Sequence, residues 1–388
     1  MMRRLRWVAP LAIAAMALAA CSSGPEGSET ETEPEDTVVS ADPDAALAAL
    51  EGLVLSTGPR GEQPEPASVA DLTDYEVDQI RALGATAAIV MHYGGNDWAN
   101  AQIAGLRARF DELGIEVVAT TDANFDPGQQ VSDIETVMAM NPDIIVSIPT
   151  DPVATAPAYQ AAADAGIKLV FMDNVPDGLE AGTDYVSVVS ADNHGNGIVS
   201  AHLMAKALNG AGRIGIIYHE ADFFVTKQRY EGFKSTIESE YPEIEIVAER
   251  GIAGPDWAGD GAEVTDALLT QFPDLDGIWA VWDVPAEGVM AAARSAGRTD
   301  LKIATEDLGT NVAIALAKNE MIIGLGAQRP YDQGVTEASL AGGALLGKTA
   351  PPYVALFALP VTHENVLEAW EAVYHSAPPA EVRDSYAD

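Results

Sequence analysis

Residues 87–121 read AAIVMHYGGNDWANAQIAGLRARFDELGIEVVATT. Ala87–Met91 is a short apolar run with no polar break, the pattern of a strand covered on both faces. His92 to Trp98 interrupts it with two glycines and several polar groups. Ala101, Ile103, Ala104, Leu106, Phe110 and Leu113 then recur at mixed three- and four-residue spacings, which predicts an amphipathic helix. Gly114 stops it, as glycine often does just past a helix end. Ile115–Ala119 is a second apolar strand. A strand, polar loop, helix, strand series implies a parallel sheet with helices packed on it. Ligands of such sheets sit beyond the carboxyl ends of the strands. The His92–Trp98 loop holds that position and reads as the first wall of a small-molecule cleft.

A chain of 388 residues has room for two domains, and 48% hydrophobic residues are ample for sizeable cores. With 21 basic and 59 acidic residues the formal charge is −38. A phosphate backbone would be repelled, so nucleic acid is not an expected partner. The excess favours solubility and names no ligand.

The N-terminus carries Arg3, Arg4 and Arg6, then an apolar stretch from Trp7 to Ala17, then Leu18-Ala19-Ala20-Cys21. The apolar stretch is too short for a confident membrane span. The arrangement resembles a bacterial lipoprotein signal, with residues 1–20 cleaved and a lipid attached to Cys21. Cys21 is the only cysteine, so no internal disulfide and no cysteine-based zinc site is expected. Ser22 to about Pro43 has few apolar groups to bury, and residues 21–70 are expected to be a mostly disordered acidic tether. Within it, Ala45–Leu55 has the pattern of a short helix and Pro59 to Pro66 looks irregular. Leu72–Ala82 reads as a helix, with Thr73 as N-cap and Glu76 three residues later.

Helices are expected at Gln129–Met140 and Ala154–Ala165, and strands at Ile144–Ile148, Ile167–Met172 and Tyr185–Val189. After Asp192-Asn193 and a helix through Leu208 the pattern restarts. Strands at Arg213–Tyr218, Ile244–Glu249, Gly277–Val281, Leu301–Thr305 and Ile322–Ala327 alternate with helices at Gln228–Glu238, Glu263–Gln271, Ala286–Ala296 and Val312–Lys318. A helix at Tyr331–Leu346, an apolar strand at Val354–Leu359 and a helix at Glu364–Val373 follow. The series makes two αβ domains of similar build, about 80–192 and about 193–328.

Asp173, Asp283 and Asp307 each follow an apolar strand at its carboxyl end, which brings all three to the same edge of their sheets. An Asp near a strand end also often caps a helix or forms a turn. Trp98, Trp257 and Trp282 fall in or beside the same loops, as do Phe223 and Phe224. Their flat faces suit a ligand ring or carbon chain, and local packing is the alternative for each. Lys227 is the main cationic candidate. Carboxylates outnumber it, so an anionic ligand is disfavoured. A neutral polyhydroxylated ligand fits better, and an amine remains open through carboxylates and cation–π contacts. His92 and His219 both follow first strands and can face the cleft. No H-x-x-x-H metal pair, Gly-x-Ser-x-Gly elbow or Walker A sequence occurs. Asp122 to Gln130 (DANFDPGQQ) lacks the twelve-position calcium pattern.

Several stretches together resemble the periplasmic sugar-binding proteins of ribose/xylose type, the substrate-binding subunits of ABC importers. They are NDW (96–98), LVFMDN (169–174), SADNHG (190–195), TKQRYEGF (226–233), ALLTQFPDLDGIWAVWD (267–283), IATEDL (303–308) and GAQRPYDQG (326–334). The resemblance implies two Rossmann-like α/β lobes with parallel-type sheets joined by a three-segment hinge, crossing near 192, 328 and 358. The N-terminal lobe would be 80–192 plus 329–358, and the C-terminal lobe 193–328 plus 359–375. By carry-over, the first-lobe contacts become His92, Asn96, Trp98, Asp173 and Asn174, with Asn193 near the crossing. The second-lobe contacts become Lys227, Asp256, Trp257, Trp282, Asp283 and Asp307, with Gln328 at the next crossing. Asn174, Lys227 and Trp282 depart from the family pattern, which usually has arginine, arginine and asparagine there. An arginine fork is a bidentate clamp and a lysine only a point charge, so ribose itself is in doubt.

The resemblance implies capture of a neutral monosaccharide or polyol, without cofactor, catalytic residue or metal. The protein would act as a monomer, lipid-anchored on the outer face of the cell membrane, with an ABC permease as its partner. A sensor presenting a sugar or signal molecule to a membrane receptor is the second reading. A sugar-modifying enzyme is the third and a structural lipoprotein the fourth.

Overall fold

The computed structural model describes residues 40–386. The signal segment 1–20, Cys21 and the tether up to residue 39 lie outside the described residues.

The chain opens with helix α1 (Pro43–Ala49) and, after a 3-10 turn at Ala67–Ala70, α2 (Asp74–Leu83). Thr73 and Glu76 form the expected capping box on α2, and left-handed Gly84 ends it. The first αβ series is β1 (Thr86–Met91), α3 (Asp97–Glu112), β2 (Glu116–Asp122), α4 (Pro127–Met138), β3 (Ile144–Ser147), α5 (Ala156–Asp164), β4 (Lys168–Met172) and β5 (Ser187–Ala191). The second is α6 (Asn193–Ala207), β6 (Gly212–His219), α7 (Phe224–Glu240), β7 (Ile244–Ile252), α8 (Trp257–Gln271), β8 (Gly277–Ala280), α9 (Asp283–Ser295), β9 (Lys302–Glu306), α10 (Thr310–Ala317) and β10 (Ile322–Ala327). The chain ends with α11 (Pro330–Leu345), β11 (Tyr353–Leu356), β12 (Leu359–Val361), α12 (Val366–Tyr374) and α13 (Ala380–Arg383).

Two six-stranded sheets result, ordered β11-β5-β4-β3-β1-β2 and β12-β10-β9-β8-β6-β7. Every pairing is parallel except β10 with β12. The orders match position by position, so β4 and β9 are equivalent strands in the two lobes. Strands of such sheets are covered on both faces, and β1, β3, β4, β5 and β8 are buried almost throughout.

The chain leaves the first sheet after Ala191 and returns after Ala327, where α11 packs on α3. It crosses a third time between Leu356 and Leu359. The single strand expected at Val354–Leu359 is therefore two short strands in different sheets.

The described part of the expected tether, 40–70, is not disordered. It is a strap laid over both lobes on the hinge side. Leu47 of α1 and Leu50 just after it pack against Val199 and Leu203 of α6. The backbone N–H groups of Leu55 and Ser56 and the Ser56 hydroxyl donate to the Asp192 carboxylate at 2.7–2.8 Å. Gln228 donates to the Thr57 carbonyl. Farther on, the Arg60 guanidinium donates to the carbonyls of Pro176 and Leu179, and Glu65 exchanges backbone hydrogen bonds with Tyr353 and Ala355 beside β11. Asp192 is buried at the first crossing and also caps α6 through Gly195. An unpaired buried carboxylate is costly, and the strap supplies three of its donors. Low apolar content suggested disorder because these partners lie more than 130 residues away in sequence.

Removing the Ser56 hydroxyl takes one donor from a buried charge. Ser56→Ala is expected to lower unfolding stability by about 1.5–3 kcal/mol, read from urea denaturation; an unchanged midpoint would remove the strap from the folded core.

Glu306, at the end of β9, is fully buried and accepts from Ser200 and Trp279. Burial pushes its carboxyl up to about 8, against the pull of Arg229. The folded state keeps a proton that the unfolded chain releases near 4.5. The neutral form therefore stabilises the fold at low pH, and this contribution is lost as pH rises from about 4.5 through about 8. Glu306→Gln is expected to gain stability relative to the parent across that window, by at most about 1.4 kcal/mol per pH unit, with no further gain above it. Parallel stability curves between pH 5 and 9 would contradict the buried-acid assignment.

Candidate functional site

Both sheets present the carboxyl ends of their strands to one cavity of about 80 Å³.

Asp173 and Asp307 follow the equivalent strands β4 and β9, and both have left-handed backbones, φ 54° and 65°. Non-glycine residues in that region are uncommon, and such strain gathers at functional sites. Each is held by a backbone bond to the next strand, Asp173 to Val189 and Asp307 to Gly326. Ser190 donates to Asp173, and Gln328 donates to Asp307. Asp283 opens α9 one residue beyond Trp282, and its carboxylate accepts from the Val284 N–H.

The cation of the site is Arg229. Its guanidinium, 2% exposed, reaches both Asp307 oxygens at 2.9 and 3.2 Å, the Val281 carbonyl at 3.2 Å and the Asn193 side chain at 3.2 Å. Lys227 does not enter the cavity; it is exposed and pairs with Asp222 at 3.0 Å. The helix phase explains the difference. α7 starts at Phe224, four residues before the expected Gln228, and turns Thr226 and Arg229, three apart, onto the cavity. Residue 227 points elsewhere.

The walls are aromatic. His92, Asn96 and Trp98 line the cavity as expected from the first loop, together with Tyr93. His92 stacks on Phe223 of the other lobe with ring centres 5.8 Å apart. Trp282 lines the opposite wall with His219. Asn96 also caps α3 through Ala99.

Five other expected residues stand back from the cavity. Asn174 donates to the Pro149 carbonyl. Asn193 accepts from Arg229 and donates to Ser190, so it links the two carboxylate sites from behind. Gln328 braces Asp307. Asp256 is the N-cap of α8, bonded to the Gly259 N–H, and does not line the cavity. Trp257 is the first residue of that helix, buried behind the wall against Trp282 and His219 at ring separations of 5.0 and 5.2 Å.

Phe125, after β2, lines the cavity and was not expected there. Its signal was an aromatic within DANFDPGQQ, whose Asp126 and Pro127 start α4. Asp97 was also missed as a contact. It accepts from the backbone N–H and hydroxyl of Thr310 at 2.7 and 2.8 Å and so joins the lobes beside the cavity.

Burial sets the protonation of the site. It pushes the Asp173 carboxyl up to about 6, against the hydrogen bond from Ser190 and the charge of Arg229. It raises Asp283 well above the ordinary carboxylate range, helped by the negative charges of Asp307 and Glu287. It drives His92 down to about 3 and lowers His219, so both imidazoles are neutral at pH 7. The His92 Nδ1 and Trp98 Nε1 atoms are buried without a hydrogen-bond partner. Both belong to side chains that line the cavity.

Residues 87–349 match the family model of the periplasmic binding protein domain. The D-ribose/D-allose-binding protein of Pseudomonas aeruginosa is 31% identical over 176 residues, 45% of this chain and 54% of that protein. The chain thus spans about half the length of that relative. The ribose import binding protein of Bacillus subtilis is 25% identical over 63% of this chain and 76% of its own. A solved periplasmic solute-binding protein of an ABC transporter from Actinobacillus succinogenes, with bound D-allose, superposes with a TM-score of 0.65 at 25% identity, covering 73% of this chain and 99% of that one. With both sheets, their matched order and the shared cavity in place, the chain belongs to the periplasmic binding protein domain family.

Proposed function

We propose that the protein is the solute-capturing subunit of an ABC-type importer, closing two lobes over one hydroxyl-rich monosaccharide or polyol and presenting it to a membrane permease. The observation that carries this reading is the division of one cavity between two lobes. His92, Trp98 and Asp173 come from one, and Arg229, Trp282, Asp283 and Asp307 from the other. Neither lobe alone encloses a ligand, so binding favours the closed form, in which both lobes touch it at once. Aromatic faces take the carbon skeleton, and carboxylates and the guanidinium take the hydroxyls. The names of the relatives, for ribose, allose and import, support the same class.

Capture without catalysis is part of the proposal. His92 makes no side-chain hydrogen bond among the described residues, and the Thr226 hydroxyl 3.1 Å from His219 Nδ1 donates its proton to the Phe223 carbonyl instead, so neither imidazole is placed to take a proton from a nucleophile. The lipid anchor at Cys21 and action as a monomer are likewise proposed, the anchor from the sequence of residues 1–21. It would keep the protein beside its permease.

A thermal-shift screen of pentoses, hexoses and polyols, followed by calorimetry on the hits, is expected to find one-to-one binding with the ligand recovered unchanged by mass spectrometry. No shift across the library would count against capture, and a converted ligand would point to an enzyme. Asp173→Ala is expected to weaken binding at least tenfold with an unaltered far-UV spectrum. Unchanged affinity would take Asp173 out of the site.

A further inference from the structure

The charges around the cavity do not balance. Three carboxylates line it, Asp173, Asp283 and Asp307, against the single guanidinium of Arg229. Asp307 engages both terminal nitrogens of that guanidinium. Asp173 still feels the Arg229 charge and takes the Ser190 hydroxyl. Asp283 has neither. It is 8% exposed, no cation pairs with it among the described residues, and its charged neighbours are Asp307, Glu287 and Asp97. One oxygen accepts from Val284, and the other has no partner among the described residues. The N-terminus of α9 adds only about half a positive charge. Lys227 is turned outward, and both imidazoles on the wall are neutral.

A buried carboxylate without a counter-charge is costly, and the cost ends when a proton or a cation arrives. A hydroxyl brings one donor and no charge. An ammonium brings three donors and a full charge. Tyr93 and Trp282 line the same cavity, and aromatic rings attract a desolvated cation.

We propose that the site prefers polyhydroxylated ligands bearing one primary ammonium group, an amino sugar or amino polyol, over their uncharged counterparts, with Asp283 as the counter-ion. This rests on the capture function proposed above and narrows its ligand class. The ring or chain hydroxyls are left to Asp173, Asp307 and Arg229. The large negative charge of the chain, −38, draws such a cation towards the protein before contact.

The test is calorimetry at pH 7 and fixed ionic strength on matched sets. Each set holds a neutral pentose, hexose or polyol, the aminodeoxy analogue at each hydroxyl position in turn, and the N-acetyl form of each amine. The expected result is one aminodeoxy analogue binding at least tenfold more tightly than its neutral parent, with the gain lost on N-acetylation. Asp283→Asn should reduce the ratio of amine to parent affinity to below twofold. The inference is overturned if no amine outbinds its parent, or if the N-acetyl form keeps the gain, because charge then does not decide. It is also overturned if Asp283→Asn leaves the ratio intact. Should Asp283→Asn fail to fold, the matched sets on the unaltered protein still decide. Binding of neutral parents alone sinks this inference and leaves capture standing; binding of no member of any set sinks both.

Discussion

The buried guanidinium of Arg229 is the interaction on which the site's geometry turns. Leaving such a charge unpaired inside a protein costs several kcal/mol, so each group that satisfies it is fixed in place. Those groups are Asp307 after β9, the Val281 carbonyl after β8 and Asn193 at the start of α6. Asn193 in turn donates to Ser190, which donates to Asp173 in the first lobe. One cation thereby sets the positions of carboxylates on two different sheets. The left-handed backbones of Asp173 and Asp307 are held separately, by the Val189 and Gly326 carbonyls.

The hinge shares this network. Asp192 caps the helix that begins with Asn193, and its carboxylate is completed by the strap at Leu55 and Ser56. The Ser56 hydroxyl also accepts from the His194 N–H. The strap thus reaches the binding site through two residues of α6 without touching the cavity. The solved A. succinogenes structure covers 99% of itself but only 73% of this chain, and residues 40–86 lie outside the matched family region.

Much of the fold was legible because buried parallel strands show as unbroken apolar runs, and the glycines and capping residues between them mark helix ends. The strand-end aspartates were legible for the same reason: a polar residue directly after an apolar run has only one place to go. Helix phase was not. The sequence around 224–233 gives the right residue types, but whether Lys227 or Arg229 faces inward depends on where the helix starts. Trp257 reads as a loop aromatic until Asp256 is seen to cap a helix beginning at that tryptophan. The strap was illegible because its order comes from hydrogen bonds to residues far along the chain, which local composition does not record. Asp97 escaped for a related reason, since its partner Thr310 lies in the other lobe.

The most direct measurement is a crystal structure of the protein with its tightest ligand from the calorimetric screen. Ligand density should lie against Trp282 with hydrogen bonds to Asp173 from one lobe and to Asp307 or Arg229 from the other. Density confined to a single lobe, or bound away from this cavity, would contradict the account.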